Sequence, residues 1–247
     1  MNVVLFSGTT EGRRLSRALA ELGAGVTVCV ATQYGREEQG EAPGVTVLTG
    51  RMDEEEMART VAGVDLCVDA THPYAVQASE TIRAACEETG RPLLRLLRAA
   101  CPVPAGAEVF ASASDAARWL QTTQGNILLT TGAKELALFA PLGGERLYPR
   151  VLPLAASLVA CAAAGVPSSH ILALQGPFSR ELNEALIRQY HIAYLVTKDG
   201  GKAGGFEEKA LAARAAGAKL ILIRRPQEDG LSYEDVLQQC REMMGCG

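Results

Sequence analysis

Long apolar runs and blocks of basic residues are both missing from this chain of 247 residues, whose formal net charge is −4. No apolar run reaches the roughly 20 residues that a membrane-spanning helix needs, and the N-terminus lacks a basic segment followed by a long apolar core. We therefore expect a cytoplasmic protein without a membrane partner. Because no basic block stands out, the acidic balance also argues against a nucleic-acid partner.

Paired cysteine motifs are absent as well, since the seven cysteines are odd in number and none forms C-x-x-C. Cys29 and Cys67 lie inside apolar segments, where a thiol serves as a small core side chain. Cys246 is a candidate reactive thiol at an end that we expect to be frayed. The pattern predicts a reduced protein with neither a structural disulfide nor a metal site.

Short apolar segments alternate with segments of helical spacing along the whole chain, and each apolar segment reads as a buried parallel strand. The strands are predicted at 3–6, 25–31, 45–48, 66–69, 92–96, 126–130, 146–148, 171–174, 193–196 and 219–223. This alternation predicts an α/β fold of two Rossmann-like, doubly wound domains with parallel sheets that face a shared cleft. A proline-containing linker, 99–106, would join a dinucleotide-binding domain, 1–98, to a substrate-binding domain, 107–247.

The first strand runs into a glycine turn, Ser7-Gly8-Thr9-Thr10-Glu11-Gly12, and then into a helix. A strand, turn and helix in this order aim backbone N–H groups and the positive end of a helix dipole at a phosphate. Gly8 would let the backbone approach that anion, and Gly12 would let the helix pack close to the strand. The G-x-G-x-x-G fingerprint is not met, so a tight turn without a ligand stays an alternative.

The end of the second strand would meet the adenosine ribose of a bound dinucleotide. Thr32 and Gln33 stand where an acidic residue would select a free 2′-hydroxyl, and Arg36 is nearby. These residues favour NADPH, with NADH also possible. A solvated loop with an incidental arginine is the alternative.

Polar loops also follow four later strands, and the carboxyl ends of parallel strands share one edge of a sheet. His72 and Tyr74 follow the fourth strand and could line a nicotinamide or supply a proton, although the histidine could instead brace its own loop. The segment 197–205 carries two lysines and four glycines ahead of a helix, which suits an anion, unless it is a mobile loop with solvated lysines. Lys134, Arg150 and Arg180 are weaker candidates and are expected to be surface charges.

Five motifs together resemble the precorrin-6A reductase family of cobalamin biosynthesis. They are S-G-T-T-E-G-R at 7–13, D-A-T-H-P-Y-A at 69–75, G-A-K-E-L at 132–136, Q-G-P-F-S at 175–179 and V-T-K-D-G-G-K-A-G-G-F-E-E-K at 196–209. The resemblance implies NAD(P)H-dependent reduction of the macrocycle C18–C19 double bond to give precorrin-6B. It also implies a polycarboxylate tetrapyrrole substrate, cobalt-free or cobalt-containing, held with the cofactor between two Rossmann-like domains.

The residues and the resemblance together give three sets of candidate site residues. The predicted catalytic residues are His72, Tyr74 and Lys198. The predicted cofactor-binding residues are Gly8, Thr9, Thr10, Glu11, Thr32, Tyr34 and Gly35. The predicted substrate-binding residues are Lys198, Gly200, Gly201, Lys202, Gly204, Gly205, Gly176, Pro177, Phe178 and Lys134.

Two other functions remain open at this stage. A short-chain dehydrogenase or sugar epimerase needs tyrosine and lysine at i and i+4 on a helix, and Tyr194 and Lys198 have that spacing. They lie in a predicted strand, however, where four residues span roughly 13 Å. A non-catalytic NADP-binding sensor would explain the first domain but not the loops of the second. Neither the oligomeric state nor the cobalt content of the substrate follows from the sequence.

Overall fold

A computed structural model describes residues 1–98, 101–201 and 204–245 of the chain. It divides into two compact units, the first formed by Met1–Ala99 with Gln227–Gly247 and the second by Ala100–Pro226. Each unit contains one parallel sheet, of five strands in the first and six in the second. The predicted α/β class with two Rossmann-like sheets is confirmed, whereas the cleft between them stays a prediction.

The first unit alternates strands and helices. Its elements are β1 (Asn2–Ser7), α1 (Thr10–Glu21), β2 (Gly25–Val30), α2 (Gln33–Gln39), β3 (Val45–Thr49), α3 (Glu54–Ala62), β4 (Leu66–Ala70), α4 (Val76–Thr89) and β5 (Leu93–Arg95). The strands pair in the order β3-β2-β1-β4-β5, and every pairing is parallel. The order reverses between β1 and β4, and doubly wound folds bind ligands at such a switch point.

The core of the first unit explains why its strands are continuous apolar runs. Val3 and Leu5 of β1 pack into one hydrophobic cluster, while Val4 and Phe6 pack into the cluster on the other face. Both faces of β1 are therefore covered, as expected for a strand inside a parallel sheet. Gly12 brings α1 against the sheet, since an added Cβ would lie 2.8 Å from Cβ of Ala70.

The C-terminal segment Gln227–Gly247 corrects the predicted domain boundary, which placed all of 107–247 in the second domain. The final helix, α10 (Tyr233–Met243), buries Val236 and Cys240 in the core cluster of the first unit. Leu231, which precedes α10, accepts a hydrogen bond from the amide of Leu97, and this contact extends the sheet beyond β5. The chain thus returns to its first unit because the apolar face of α10 packs beside α1.

The second unit contains β6 (Glu108–Phe110), α5 (Ala113–Leu120), β7 (Asn126–Leu129), α6 (Leu136–Phe139), β8 (Leu147–Val151), α7 (Ala155–Ala163), β9 (Leu172–Ala173), α8 (Arg180–Gln189), β10 (Ile192–Lys198), α9 (Phe206–Ala216) and β11 (Lys219–Ile223). The strands pair in the order β6-β11-β10-β7-β8-β9, again all parallel. Here the order reverses between β10 and β7, which gives this sheet its own switch point.

Three elements differ from the sequence-based expectation. The short edge strand β6 is absent from the predicted set, and α2 occupies residues that were expected to form a loop after the second strand. Strand β8 continues through Pro149 and Arg150, where a strand ending at residue 148 was predicted. The predicted linker, 99–106, is described only from Cys101 onward, and Cys246 lies outside the described residues.

Cys29 and Cys67 are core residues, as predicted, because both are buried within β2 and β4. Across 1–98, 101–201 and 204–245, no helix is long and apolar enough to cross a membrane. The same ranges contain no group of three histidine, cysteine or acidic side chains placed to hold a metal ion.

Candidate active site

The glycine turn after β1 forms the first part of the candidate site. Thr9 caps α1, because its Oγ1 accepts from the amide of Gly12 at 3.1 Å and donates to the carbonyl of Ala70 at 3.0 Å. Gly8 and Thr10 are exposed on either side of it. The first backbone N–H groups of a helix have no acceptor inside the helix, so this turn offers donors to an anion.

Gly8 and the loop after β4 lie together at the switch point of the first sheet. A Cβ added to Gly8 would lie 3.6 Å from the amide nitrogen of His72 and 3.8 Å from Cα of Thr71, which are ordinary contacts. Contacts within the protein therefore do not require glycine at position 8. An open glycine at the end of β1 fits the close approach of a pyrophosphate.

The segment after β2 is a helix rather than a loop. Thr32 caps α2, since its Oγ1 accepts from the amide of Gly35 at 3.0 Å, and Gly35 packs closely because an added Cβ would lie 3.2 Å from Cβ of Val30. Arg36 donates to the carbonyl of Val47 at 3.1 Å, which holds its guanidinium beside β3. Burial, followed by the charges of the nearby glutamates, raises the pKa of Tyr34. These roles are structural, and a ribose contact at this position stays a prediction.

The loop that carries His72 is a compact turn. The His72 carbonyl accepts from the amide of Ala75 at 2.7 Å, and its Nδ1 accepts from the amide of Tyr74 at 3.4 Å. An Nδ1 that accepts a hydrogen bond places the proton of a neutral imidazole on Nε2. The Tyr74 ring lies beside the imidazole, with 5.5 Å between the ring centroids. His72 and Tyr74, two of the three predicted catalytic residues, are thus half-buried neighbours.

A buried network of Asp69, Arg95 and Glu228 stabilises the turn that carries His72. Asp69, which is 1% exposed, accepts from the amide and the hydroxyl of Thr71 at 2.9 and 2.7 Å. Arg95 donates to the same Asp69 oxygen at 3.0 Å and to the Thr71 carbonyl at 3.0 Å. Its other edge forms two bonds of 2.9 Å with the carboxylate of Glu228. The returning C-terminal segment therefore anchors the turn that carries His72.

Glu11 of the glycine turn forms an ion pair with Arg98, with 3.2 Å between Oε2 and Nη2. Both side chains are largely buried, with side-chain exposures of 21% and 9%. An acidic side chain in the first turn of α1 also suits the helix dipole. The positive charge of Arg98 therefore offsets the negative charge of Glu11, which reduces the repulsion between Glu11 and a phosphate bound at the turn.

At the switch point of the second sheet, Lys198 ends β10 and Glu135 follows β7. The Lys198 ammonium lies 2.8 Å from Oε2 of Glu135. Both side chains are partly exposed, so the pair is accessible to a ligand. The structure therefore pairs a predicted catalytic lysine with the glutamate of the G-A-K-E-L motif, a partner that the sequence did not identify.

The glycine loop between β10 and α9 closes on itself. The amide of Gly204 donates to the carbonyl of Gly201 at 3.1 Å, and a Cβ on Gly200 would lie 3.4 Å from Cα of Gly204. Gly201 and Gly205 have φ angles of 67° and 63°, which only glycine adopts readily. The glycines therefore form the loop itself, and Lys202 lies outside the described residues.

Two side chains fix the ends of this loop. Asp199 is 6% exposed and accepts from the amide of Gly201 at 3.2 Å. Lys209, in the first turns of α9, donates to the carbonyl of Gly204 at 2.9 Å. Burial and the charge of Arg150 lower the pKa of Lys209 to about 8, against a smaller upward effect of Glu208. Lys209 belongs to the F-E-E-K end of the motif at 196–209, and no local pattern marks it as a site residue.

Arg150 was expected to be a surface charge, and this expectation is wrong. It lies inside β8 with 7% of its surface exposed, and burial lowers its pKa to about 10. Its Nη1 donates to Oδ1 of Asn183 at 2.7 Å, and its guanidinium lies 4.1 Å from the centre of the Phe178 ring. Gly176 makes room for that ring, since an added Cβ would lie 2.9 Å from Cε2 of Phe178. The Q-G-P-F-S loop, with Pro177 exposed, thus places Phe178 on a buried arginine.

The other weak candidates are surface charges, as expected. Lys134 is exposed, and Arg180 pairs with Glu184 one helical turn away at 2.6 Å. Tyr194 and Lys198 lie on one strand, β10, and Tyr194 packs edge-on against Trp119. The tyrosine and lysine of a short-chain dehydrogenase share a helix, so this pair does not form that site.

The chain is similar to known proteins along nearly its whole length. Residues 2–241 match the family model described as "Precorrin-6x reductase CbiJ/CobK". The cobalt-precorrin-6A reductase of Priestia megaterium is 36% identical over 239 residues, which cover 94% of this chain and 93% of that protein. The precorrin-6A reductase of Rhodococcus erythropolis is 33% identical over 229 residues, covering 91% and 89%.

A solved structure named CobK precorrin-6A reductase has the same fold. It is 25% identical to this chain, superposes with a TM-score of 0.78, and is covered over 96% of its length by 98% of this chain. The agreement of sequence model, relatives and structure extends over both units. The chain belongs to the precorrin-6x reductase family.

Proposed function

We propose that this protein is an oxidoreductase that reduces one carbon–carbon double bond of precorrin-6A, or of its cobalt complex, with NADPH as the reductant. The observation that carries the proposal is the family match over residues 2–241, which includes every polar loop at the two switch points. Relatives named for the cobalt form and for the metal-free form are similarly distant, at 36% and 33% identity. The proposal therefore includes both forms of the substrate.

The first unit is proposed to hold the dinucleotide at the turn formed by Gly8, Thr9, Thr10 and Glu11. The open space over Gly8 and the N-terminus of α1 fit a pyrophosphate. Thr32, Tyr34 and Gly35, at the end of β2, would face the adenosine ribose. When bound, the nicotinamide supplies a hydride to one carbon of the macrocycle.

Replacing Gly8 by alanine should weaken NADPH binding at least tenfold, or by about 1.4 kcal/mol, without changing the melting temperature. The new methyl group meets only ordinary protein contacts, at 3.6 Å or more, so any loss reflects the ligand. NADPH titration and thermal unfolding of the same preparation give both numbers. Gly63→Ala is a matched control, since its nearest neighbour atom would lie 3.9 Å from the added Cβ. Unchanged NADPH affinity in Gly8→Ala would place the pyrophosphate elsewhere.

The second unit is proposed to hold the carboxylates of the tetrapyrrole. Lys198 would contribute one ammonium group, and the loop of Gly200, Gly201, Gly204 and Gly205 would contribute backbone N–H groups. Phe178, whose ring lies 4.1 Å from the Arg150 guanidinium, would contribute apolar surface to the macrocycle, together with Gly176 and Pro177 of the same loop. Lys134 and Lys202 complete the proposed set.

Reduction of a double bond requires a hydride at one carbon and a proton at its neighbour. His72 is the proposed proton donor, acting as the imidazolium, which is an acid near neutral pH. The second proton enters at Nδ1 when the 3.4 Å bond from the amide of Tyr74 opens, and the proton on Nε2 is the one transferred. Tyr74 would pack beside the imidazole and exclude water. The network under this turn keeps both side chains in place for the transfer.

The proposal is tested by supplying NADPH and precorrin-6A, separately and together, and following absorbance at the nicotinamide band and at the macrocycle bands. We expect NADPH to be consumed only when the tetrapyrrole is present, with one NADPH oxidised per macrocycle changed. A non-catalytic sensor would bind NADPH and leave both spectra unchanged. Repeating the assay with cobalt-precorrin-6A ranks the two substrates.

A further inference from the structure

Two buried cations, Arg150 and Lys209, adjoin each other without a salt bridge to a carboxylate among the residues that the structure describes. They are 7% and 8% exposed, and within 1–98, 101–201 and 204–245 their side chains donate hydrogen bonds to neutral oxygens, Arg150 to Asn183 and Lys209 to Gly204. A buried charge without an opposite charge is costly, by several kcal/mol in typical proteins. A structural arginine would normally be placed against a carboxylate.

The fold explains why the two cations face the same space. Side chains two residues apart on a strand lie on the same face of the sheet, so Arg150 and Tyr148 of β8 share a face. Tyr148 packs there in the hydrophobic cluster that includes residues of α8 and α9. Asn183 of α8 accepts from Arg150, and Lys209 belongs to α9. The two cations therefore lie between β8, α8 and α9, beside the end of the glycine loop.

The electrostatics of this space are positive. The charge of Arg150 lowers the pKa of Lys209 more than the carboxylate of Glu208 raises it. Arg150 also contacts Asn183 and Phe178, and neither of these side chains carries charge. An anion in this space would relieve the repulsion between the two cations.

We propose that Arg150 and Lys209 form a carboxylate-binding site. The planar guanidinium binds a carboxylate with two N–H groups, and the Lys209 ammonium, held by Gly204, adds a second charge. Resting on the proposed function, the site takes one acidic side chain of the tetrapyrrole, and Phe178 covers it as the macrocycle packs. Bound carboxylate also fixes the glycine loop through the bond from Lys209 to Gly204.

The site is tested without substrate or cofactor by NMR of the full chain labelled with ¹³C at the lysine ε carbons. The chain has only five lysines, Lys134, Lys198, Lys202, Lys209 and Lys219. Lys209 is assigned by its loss in Lys209→Gln, which keeps a donor for the Gly204 carbonyl. Titrations are run in sodium chloride, in sodium glutarate and in inorganic phosphate at equal ionic strength.

We expect glutarate to raise the pKa of Lys209 by about one unit relative to chloride, which corresponds to tenfold tighter binding to the protonated form. Lys219 pairs with Glu108 at the start of β11 and should be unaffected. The shift should disappear in Arg150→Met and be smaller in Arg150→Lys, which keeps the charge but loses the planar fork. No shift with glutarate overturns the site, and an equal response to phosphate overturns its preference for a carboxylate.

The source of the carboxylate is tested by measuring tetrapyrrole binding in the absence of NADPH. Arg150→Lys, which keeps the charge but loses the planar fork, should bind the tetrapyrrole at least tenfold more weakly and NADPH unchanged. If glutarate binds at Lys209 but tetrapyrrole affinity stays the same in this variant, the site takes a free carboxylate and not the substrate. A negative glutarate titration would contradict the carboxylate site but not the reductase activity, which the NADPH assay measures independently.

Discussion

Arg95→Met should lower the free energy of unfolding by about 3–5 kcal/mol, the largest stability effect that we expect from a single substitution. The substitution keeps an apolar chain of similar length but removes the guanidinium that bonds Asp69, Glu228 and the carbonyl of Thr71. Asp69 would be left buried and negative, and such a charge is strongly destabilising. Urea unfolding followed by circular dichroism measures the difference.

The matched control for this variant is Arg59→Met, which breaks an exposed i,i+4 pair with Glu55. Exposed pairs of this kind contribute about 0.3–0.5 kcal/mol, so the control should unfold almost as the parent protein does. A loss below about 1 kcal/mol in Arg95→Met would show that the network does not hold the turn. Asp69→Asn, which keeps the shape and removes the charge, should be the less damaging change.

His72→Ala should reduce kcat about 100-fold or more while the Michaelis constants for NADPH and tetrapyrrole change little. General acid catalysis by a positioned side chain typically contributes about 10²–10⁴-fold, and this substitution removes the proposed donor. Steady-state kinetics give the effect on turnover, and a melting temperature measured on the same sample shows whether the loop has been weakened.

His72→Asn separates proton donation from bracing of the loop. Its side-chain oxygen can accept from the amide of Tyr74, which His72 Nδ1 does in the parent protein, but it cannot act as an acid near neutral pH. If both variants lose turnover alike, the imidazole acts in chemistry. Recovery of turnover by His72→Asn would mean that the imidazole only shapes the turn.

Much of the architecture could be predicted because local pattern and global fold agree. Residues 3–6 and 66–68 are apolar on both faces, and a strand inside a parallel sheet has both of its faces covered. Gly12 was expected to bring α1 close to the sheet, and the short distance to Ala70 confirms that expectation. Lys198 was expected in the polar segment that follows a strand at 193–196, and β10 extends through it, so that it lies at the carboxyl end of the strand.

The missed features depend on contacts between residues far apart in the chain. Nothing local shows that α10 packs on α1, because its apolar face would fit either unit. The buried position of Arg150 depends on Asn183 and Phe178, some thirty residues away, and Pro149 gives the false signal that the strand has ended. The sequence around Glu228 likewise does not indicate its ion pair with Arg95, which lies far from it in the chain.

The central claim is that this chain carries out hydride transfer from a nicotinamide to a tetrapyrrole. Its most direct test is a single turnover of the full-length protein with precorrin-6A and NADPH carrying deuterium at C4, run once with each of the two C4 epimers. We expect one epimer to deliver one deuterium to the macrocycle, which raises the product mass by about one dalton, and the other epimer to deliver none. A product without deuterium from either epimer would contradict it.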